Sequence, residues 1–197
     1  MAQHEKKIAI RTHPEVYEPA EDTMLLSDNL RVEKGDRVLE IGVGSGYLSL
    51  VASRNAEYVV GTDTNIHAVR LAKSNARLNS VANVEFILAD LVGPIIGRFD
   101  LIFINPPYLP KIGNLEQTCI DSSWNGGIDG REIIDRFLKQ VADRLNESGK
   151  VLIVQSSISD PNRTVEMLAE HGFEVRTIAE RRFFFETLHL MEATKKK

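Results

Sequence analysis

Short apolar runs and longer amphipathic stretches alternate along the chain, and this alternation predicts strands followed by helices. A run of about five apolar residues is typical of a strand buried on both faces of a parallel sheet. Apolar residues spaced three and four apart predict helices instead. The predicted strands are 37–41, 58–62, 84–88, 99–104, 150–155, 173–178 and 183–191. The predicted helices are 24–30, 48–52, 65–78, 129–146 and 162–170.

The order of these elements predicts one α/β domain. Successive strand-helix-strand units build a parallel sheet with helices packed on both of its faces. We therefore expect a doubly wound, mostly parallel seven-stranded sheet of the Rossmann-like type, with an antiparallel final strand. A length of 197 residues and a hydrophobic content of 43% suit a single domain over 1–197. Within it we expect an N-terminal segment and helix at 1–35 and a core at 36–197.

Composition and charge exclude several classes of function. The net charge of −4 and the pI near 5.8 argue against non-specific nucleic-acid binding, which requires a basic face. Cys119 is the single cysteine and the five histidines are scattered, so we expect neither an internal disulfide nor a metal site in this chain. No apolar run has the length of a signal-peptide core or a bilayer span, which predicts a cytoplasmic protein without membrane contact.

The stretch Asn105-Pro106-Pro107-Tyr108 is the centre of the predicted chemistry. It follows the buried strand 99–104, and its two prolines end that strand because neither has an N–H to give to the sheet. The stiff loop presents an amide and backbone carbonyls at the carboxyl end of a strand, where ligands bind in open α/β sheets. The stretch resembles the Asn-Pro-Pro-Tyr motif of class I methyltransferases that modify planar exocyclic amino groups.

The residue types of this loop suit that reaction. A planar NH2 group is a poor nucleophile because its lone pair is delocalised into the adjacent π-system. The Asn105 side-chain oxygen and the Pro106 carbonyl could accept its two N–H bonds, while the Tyr108 ring stacks on its plane. Positioning and electrostatics then carry the reaction without a strong base. The alternative interpretation is a proline-stopped loop after a core strand, with no chemical role.

A glycine-rich loop after the first strand predicts a cofactor site. Gly42, Gly44 and Gly46 allow a sharp turn and a close approach of the backbone to a ligand. A dinucleotide-binding loop would have its third glycine one residue later and would hold a pyrophosphate on the helix N-terminus. Glu40, at the end of the strand, would repel a pyrophosphate but attract the ammonium group of an amino acid. The pattern therefore favours S-adenosylmethionine over NAD.

Acidic residues also follow the next two predicted strands. Asp63 stands where an acidic side chain can accept hydrogen bonds from both ribose hydroxyls. Asp90 can accept from an adenine amino group, while the Leu91 N–H serves a ring nitrogen. Either aspartate alone could instead cap the end of a strand. Both together, each at a strand end and in order, favour a nucleoside site.

The segment 18–23 and Trp124 each allow two interpretations. Pro19 suits the first turn of a helix, and Glu21 and Asp22 suit the positive end of its dipole. The stretch also resembles the Tyr-x-Pro-x-Glu-Asp-Thr segment of one methyltransferase subgroup, in which it covers the cofactor and borders the target pocket. Trp124 lies in an irregular segment longer than most connections in a compact domain. It either anchors local packing or forms a wall of the target pocket, and the residues alone do not choose between the two.

Together these motifs make the chain similar to the HemK-like glutamine methyltransferases over nearly its whole length. The resemblance rests on the stretches 18–23, 40–46, 105–108 and 124–131, which match the eukaryotic and archaeal branch. It implies S-adenosylmethionine as methyl donor, S-adenosylhomocysteine as product, and the glutamine of a Gly-Gly-Gln motif in a class-1 translation termination factor as target. It also implies a heterodimer with a small zinc-ribbon activator that covers an apolar edge of the domain.

The resemblance further implies a role for each matching residue. The positions implied for the cofactor are Thr23, Glu40, Gly42, Gly44, Gly46, Asp63, Asp90, Leu91 and Asn105. The positions implied for the target are Glu18, Pro19, Asn105, Pro106, Pro107, Tyr108 and Trp124, with Asn105, Pro106 and Tyr108 as the catalytic ones. Bacterial members carry a separate N-terminal helical domain, for which this chain has no room. Substrate docking is therefore expected on the core surface, on a partner, or on both.

Two other functions stay open at this point. Adenine-N6 methylation of DNA or RNA uses the same motif on another planar amine. It requires phosphate contacts and base extrusion, for which an acidic chain without a target-recognition domain is poorly suited. The non-enzymatic alternative is a methyltransferase fold that serves as a binding scaffold, and the intact Asn105 and Glu40 argue against it. A lysine is a poorer target, because its ammonium group must first lose a proton.

Overall fold

The computed structural model describes residues 7–109 and 126–196, and the predicted pocket residue Trp124 lies outside them. The strands are β1 (Arg37–Ile41), β2 (Tyr58–Asp63), β3 (Val84–Leu88), β4 (Phe99–Ile104), β5 (Leu145–Ser156), β6 (Phe173–Arg182) and β7 (Thr187–Lys195). The α-helices are α1 (Glu21–Asn29), α2 (Tyr47–Ala52), α3 (Ile66–Leu78), α4 (Glu132–Val141) and α5 (Pro161–Glu170). Short 3-10 turns occupy Ala142–Arg144 and Ser157–Ser159.

All seven strands form one sheet in the order β3-β2-β1-β4-β5-β7-β6. The pairs from β3 through to β5 are parallel, whereas β7 runs antiparallel to both β5 and β6. This topology confirms the predicted doubly wound, mostly parallel sheet with an antiparallel final strand. The strand order reverses between β1 and β4, which are neighbours in the sheet. A crevice opens outside the carboxyl ends of strands at such a reversal, and ligands bind there.

Alternating side chains of the central strands build an apolar core on each face of the sheet. In β4, Leu101 and Phe103 face one side and pack with residues of α1 and α2. Ile102 and Ile104 face the other side and pack with α4. The helix α3 packs with α2 and with Phe86 of β3. The sheet is therefore covered on both faces, and α1 joins the same core as the strands.

Two predicted element boundaries near the middle of the chain are wrong. The helix predicted over 129–146 is limited to Glu132–Val141, and the following strand begins at Leu145 rather than at residue 150. Leu145 pairs with Phe99 of β4, and the register between the two strands shifts before Leu101 pairs with Lys150. The sheet pairing of Leu145 overrides the helical spacing of its neighbours.

The strand predicted over 183–191 is also wrong at its start. Phe183 donates its N–H to the Glu186 carbonyl at 2.8 Å and closes a turn, and β7 begins only at Thr187. The phenylalanines predicted to begin this strand lie instead at the tip of the β6–β7 hairpin, where Phe184 is 92% exposed and Phe185 is 88% exposed. The preceding strand β6 runs on to Arg182, four residues beyond its predicted end.

Over residues 7–109 and 126–196, no helix has both the length and the apolar content needed to cross a bilayer. The same part of the chain brings together no group of three histidine, cysteine, aspartate or glutamate side chains suited to a metal ion.

Candidate active site

Two adjoining cavities lie at the carboxyl ends of the central strands. The larger has a volume of about 510 Å³, within the range of about 300–1,000 Å³ that is usual for small-molecule sites. The smaller has a volume of about 190 Å³. Both are lined by Tyr17, Asn105, Pro106 and Pro107, so the proline-stopped loop stands between them. The arrangement can hold a bulky ligand on one side of Asn105 and a smaller group on the other.

Most of the residues predicted for a site line one of these cavities. On the wall of the larger lie Pro19, Thr23, Glu40, Gly42, Gly44, Asp63, Asp90, Leu91, Asn105, Pro106 and Pro107. Tyr108 lines the smaller. Glu18 is exposed and lines neither cavity. Gly46 also lines neither cavity. It has φ +80°, and a Cβ there would come within 2.8 Å of Ala72 Cβ, so the glycine allows the loop to pack closely against α3.

Glu40 places a carboxyl group at the base of the larger cavity. Glu40 is only 2% exposed, and the hydroxyl of Ser49 on α2 donates a hydrogen bond to Glu40 Oε2. Burial raises the pKa of Glu40 to about 8, although the Ser49 hydrogen bonds oppose that rise. Without a positive partner, this carboxyl group is mostly protonated at neutral pH. A bound cation would therefore convert it to the carboxylate.

Asp63 presents a carboxylate whose orientation is fixed by the backbone. Its Oδ2 accepts from the Gly44 N–H at 3.0 Å, and its Oδ1 accepts from the Asn65 N–H at 2.8 Å. Burial raises the pKa of Asp63, and these backbone donors oppose the rise. Each carboxylate oxygen has a second acceptor position, so two hydroxyl groups of a ligand could bind without displacing the backbone.

Asp90 and Leu91 form the far wall of the larger cavity. Leu91 is buried with φ +51°, which is rare for a residue with a side chain. The Asp90 carboxylate is exposed and forms an ion pair with Arg136 on α4. Nothing in the helical spacing of residues 132–141 singled out Arg136, because it occupies an ordinary solvent-facing position.

Asp22 on α1 organises the smaller cavity, although the sequence predicted no role for it in the site beyond membership of the 18–23 stretch. The residue is 5% exposed. Asn105 donates its Nδ2 to Asp22 Oδ2 at 3.0 Å, while Asn105 Oδ1 is buried and has no hydrogen-bond partner among the described residues. The hydroxyl groups of Tyr17 and Tyr108 also donate to Asp22, at 3.2 and 3.5 Å. The carboxylate thus fixes the amide of Asn105 with its oxygen unsatisfied.

The two tyrosines of this cavity keep their protons at any physiological pH. Burial and the charges of Asp22 and Glu186 raise the pKa of Tyr108 above its ordinary value. Burial and Asp22 raise the pKa of Tyr17 in the same way. The smaller cavity therefore offers an aromatic wall and a free acceptor, and neither phenol acts as a base.

Residues 126–131 pack against the loop that follows β4 and support it. Gly126 donates its N–H to the Leu109 carbonyl at 2.8 Å, and a Cβ at Gly130 would collide with the Tyr108 carbonyl. The next residue, Arg131, is 2% exposed and donates to the Ser159 carbonyl at 2.6 Å. It also binds Thr164 and Asp135. This buried guanidinium ties the loop's support to α5.

The residues before α1 form the outer wall and are tied to α3 by three asparagines. Asn79 exchanges hydrogen bonds with the backbone of Ala9, at 2.9 and 2.7 Å. Asn75 does the same with Arg11, at 2.9 and 3.1 Å. Asn65 donates to the Glu15 carbonyl at 2.7 Å. These contacts position Tyr17 and the start of α1 over the cavities.

Comparison of the sequence with known proteins identifies the family of this chain. The family described as the methyltransferase small domain matches residues 7–122, more than half of the chain. A protein of Methanocaldococcus jannaschii, which carries the provisional name protein N5-glutamine methyltransferase, is 45% identical over 94% of this chain and 95% of its own length. The human methyltransferase HEMK2 is 32% identical over 92% of this chain and 90% of its own.

A solved structure has a similar fold. It is the Mtq2-Trm112 complex of E. cuniculi, described as responsible for the methylation of the translation termination factor eRF1. The match has a TM-score of 0.71 and 27% identity, and it covers 92% of this chain and 99% of the other.

Proposed function

The chain belongs to the HemK-like family of class I methyltransferases, and from that premise we propose that it methylates the side-chain amide of a glutamine in a protein. The target we propose is the glutamine of the Gly-Gly-Gln motif in a class-1 translation termination factor, in the cytoplasm. One observation carries the proposal: Asn105 Oδ1 is a buried acceptor without a partner among the described residues, at the junction of a large and a small cavity. Buried polar atoms are nearly always satisfied, so an unpaired acceptor on a residue that lines two cavities is a candidate contact for a ligand.

The larger cavity fits S-adenosylmethionine, which supplies an electrophilic methyl group when bound. Glu40 would hold the ammonium group of the amino acid, since its buried carboxyl group is converted to the carboxylate by a cation. Asp63 would accept from the two ribose hydroxyls through oxygens already oriented by the backbone. Asp90 and the Leu91 N–H would bind the adenine, and Thr23 would lie beside the cofactor. We propose that no metal ion takes part.

The smaller cavity fits the planar end of a glutamine. Asn105 Oδ1 and the Pro106 carbonyl would each accept one N–H of the target amide, and Tyr108 would stack on its plane. These contacts draw the nitrogen lone pair out of the π-system and turn it towards the larger cavity. The nitrogen would gain the methyl group and release one proton to solvent, and S-adenosylhomocysteine would be the leaving group. Pro19 and Pro107 would limit where the rest of the target chain can run.

Asp22 acts on this step through Asn105. An asparagine amide can present either its oxygen or its NH2 to a ligand. The carboxylate of Asp22 accepts only hydrogen bonds, so it selects the orientation in which Asn105 turns its NH2 inward and its oxygen to the target. We propose Asp22 as a positioning residue for the catalytic amide.

We also propose that a small zinc-ribbon activator forms a heterodimer with this chain. The sheet has two edges, and β6 carries charged residues at five of its ten positions, which discourages pairing with another chain. The other edge strand, β3, carries one charge, and its Leu88 is 52% exposed. This apolar edge supports the β3 side as the partner's place.

A methyl-transfer assay with labelled S-adenosylmethionine tests the function. It offers a termination factor with Gly-Gly-Gln, its Gln→Ala variant, and duplex and single-stranded DNA, each with and without the zinc-ribbon protein. We expect label on the unmodified factor alone, and more of it with the activator present. Label on DNA, or equal label on the Gln→Ala variant, would contradict the proposal.

A further inference from the structure

The tip of the β6–β7 hairpin exposes a cluster of aromatic side chains. Phe184 and Phe185 are 92% and 88% exposed, and their rings pack edge to face with centroids 4.7 Å apart. Phe183 beside them is 42% exposed. Single exposed apolar side chains are ordinary, but contiguous apolar surface marks a binding site more often than not. We call Phe184 and Phe185 the aromatic tip.

The hairpin that carries the aromatic tip is held on both of its sides. Glu186 accepts a hydrogen bond from the Ser156 hydroxyl at the end of β5. On the other side, Arg181 forms an ion pair with Glu21 on α1. The N–H of Thr187 donates to the Ser157 hydroxyl at 3.0 Å. The rings therefore project from an anchored base.

The same contacts place the aromatic tip beside the smaller cavity. The strands β4 and β6 point in the same direction, so the end of β6 and the loop after β4 share the carboxyl edge of the sheet. Glu186 is near enough to Tyr108 for its charge to contribute to the raised pKa of that phenol, after burial and Asp22. Glu21, bound by Arg181, directly precedes Asp22 in the chain. The hairpin thus borders the Asn105 site through two independent connections.

We propose that the aromatic tip docks into an apolar depression on the folded substrate protein, next to the glutamine that enters the smaller cavity. This inference rests on the proposed function. A cavity of about 190 Å³ admits one side chain and provides little affinity for a whole protein. Aromatic side chains are the usual anchors at protein interfaces, because each buries a large area with few rotatable bonds. The tip supplies the affinity, and Asn105 supplies the chemistry.

The test compares a whole termination factor with a short peptide that carries Gly-Gly-Gln. The variant is the double substitution Phe184→Ser with Phe185→Ser. We expect KM for the factor to rise at least about tenfold, as for the loss of interface anchors. The value of kcat, the peptide kinetics and S-adenosylmethionine binding should stay within about twofold of the wild type, because the tip lies outside both cavities.

The chain offers a control in the loop before β4, at the amino ends of the parallel strands and away from the hairpin tip. Ile96 is 91% exposed and lies just before the amino end of β4. The variant Ile96→Ser removes an exposed apolar side chain far from the tip and should leave KM for the factor unchanged. Binding of the factor to each variant, measured without S-adenosylmethionine, should follow the same pattern and does not depend on turnover.

The assay distinguishes failure of the docking proposal from failure of the proposed function. If the wild type labels the factor but the double variant does so with unchanged KM, the docking proposal is wrong. An equal loss on peptide and factor would also overturn it, since the tip would then support the fold of the site. Loss of the zinc-ribbon protein from the double variant would assign the tip to the activator, and a fall in molecular mass would assign it to a second copy. If the wild type labels neither factor nor peptide, the proposed function itself fails.

Discussion

The Asn105 amide nitrogen lies 3.0 Å from Asp22 Oδ2, although 83 residues separate the two in the chain. This contact determines which end of the Asn105 amide faces the smaller cavity. Because Asp22 also accepts from Tyr17 and Tyr108, one buried carboxylate orients the acceptor and the aromatic wall together. The chemistry of the site therefore depends on a residue of α1 as much as on the loop after β4.

Replacement of Asp22 by Asn should lower kcat without loss of cofactor affinity. An amide at position 22 can donate to Asn105 as well as accept from it, so the Asn105 oxygen is no longer held towards the target. We expect kcat to fall about 100-fold, with S-adenosylmethionine binding within about twofold of wild type. Single-turnover methylation and calorimetry measure the two quantities. Asp143→Asn removes the same charge from an exposed position outside both cavities and should be neutral.

Replacement of Asn105 by Ala should lower kcat by roughly 10²–10³-fold, since it removes a contact made to the developing transition state. If Asp22 acts through Asn105, the double variant Asp22→Asn with Asn105→Ala should be no slower than Asn105→Ala alone. Strict additivity of the two losses would show that Asp22 has a separate role. Near-normal turnover of Asn105→Ala would remove Asn105 from the mechanism.

Cofactor binding should release a proton from Glu40. With a pKa of about 8, the carboxyl group is about nine-tenths protonated at pH 7, and the ammonium group of the ligand stabilises the carboxylate. Calorimetry at pH 7 in buffers of different ionisation enthalpy should therefore report release of roughly one proton. In Glu40→Gln the release should vanish and affinity should fall. Glu57→Gln, at an exposed position, serves as the control.

The same carboxyl group should make the ligand-free protein less stable as pH rises. Below the ordinary glutamate pKa of 4.5, Glu40 is protonated in both folded and unfolded chains and costs nothing. Between that value and about 8 the unfolded chain binds fewer protons, so the free energy of unfolding falls with increasing pH. The loss should be on the order of a few kcal/mol at pH 8. Thermal unfolding of Glu40→Gln from pH 5 to 8 should lack this component, and an unchanged slope would contradict the assignment.

Replacement of Asp63 by Ala should weaken S-adenosylmethionine binding by about tenfold or more, because two hydroxyl groups lose their charged acceptor. Calorimetry should show the loss directly, and kcat at saturating cofactor should change much less. Asp36→Ala provides the control: that exposed carboxylate accepts from the Glu33 N–H before β1, away from both cavities. An unchanged affinity for Asp63→Ala would exclude the ribose role.

The location of site residues that follow strands could be predicted from the sequence, because the carboxyl ends of successive parallel strands lie at the same edge of the sheet. Glu40, Asp63 and Asn105 each lie at or just after the end of a buried apolar run, and such ends meet at one edge. Asp22 and Arg136 could not be found in this way. Their contacts depend on how α1 and α4 are rotated against the sheet, and the sequence does not encode that in any local period.

The run at 183–185 shows the opposite error. Three phenylalanines have the composition of a strand, yet they lie in the turn between β6 and β7. Buried strands and exposed binding surfaces are both rich in apolar residues. Hydrophobic content alone therefore does not distinguish a strand in the core from an exposed apolar turn.

The asparagine contacts of the outer wall set an order of assembly during synthesis. Asp22 leaves the ribosome long before Asn105, but its segment is fixed by Asn65, Asn75 and Asn79, which are made later. The segment before α1 thus acquires its place only after α3 has been added and has packed on the sheet. During synthesis the outer wall of the two cavities can therefore form only after residue 79 has been made.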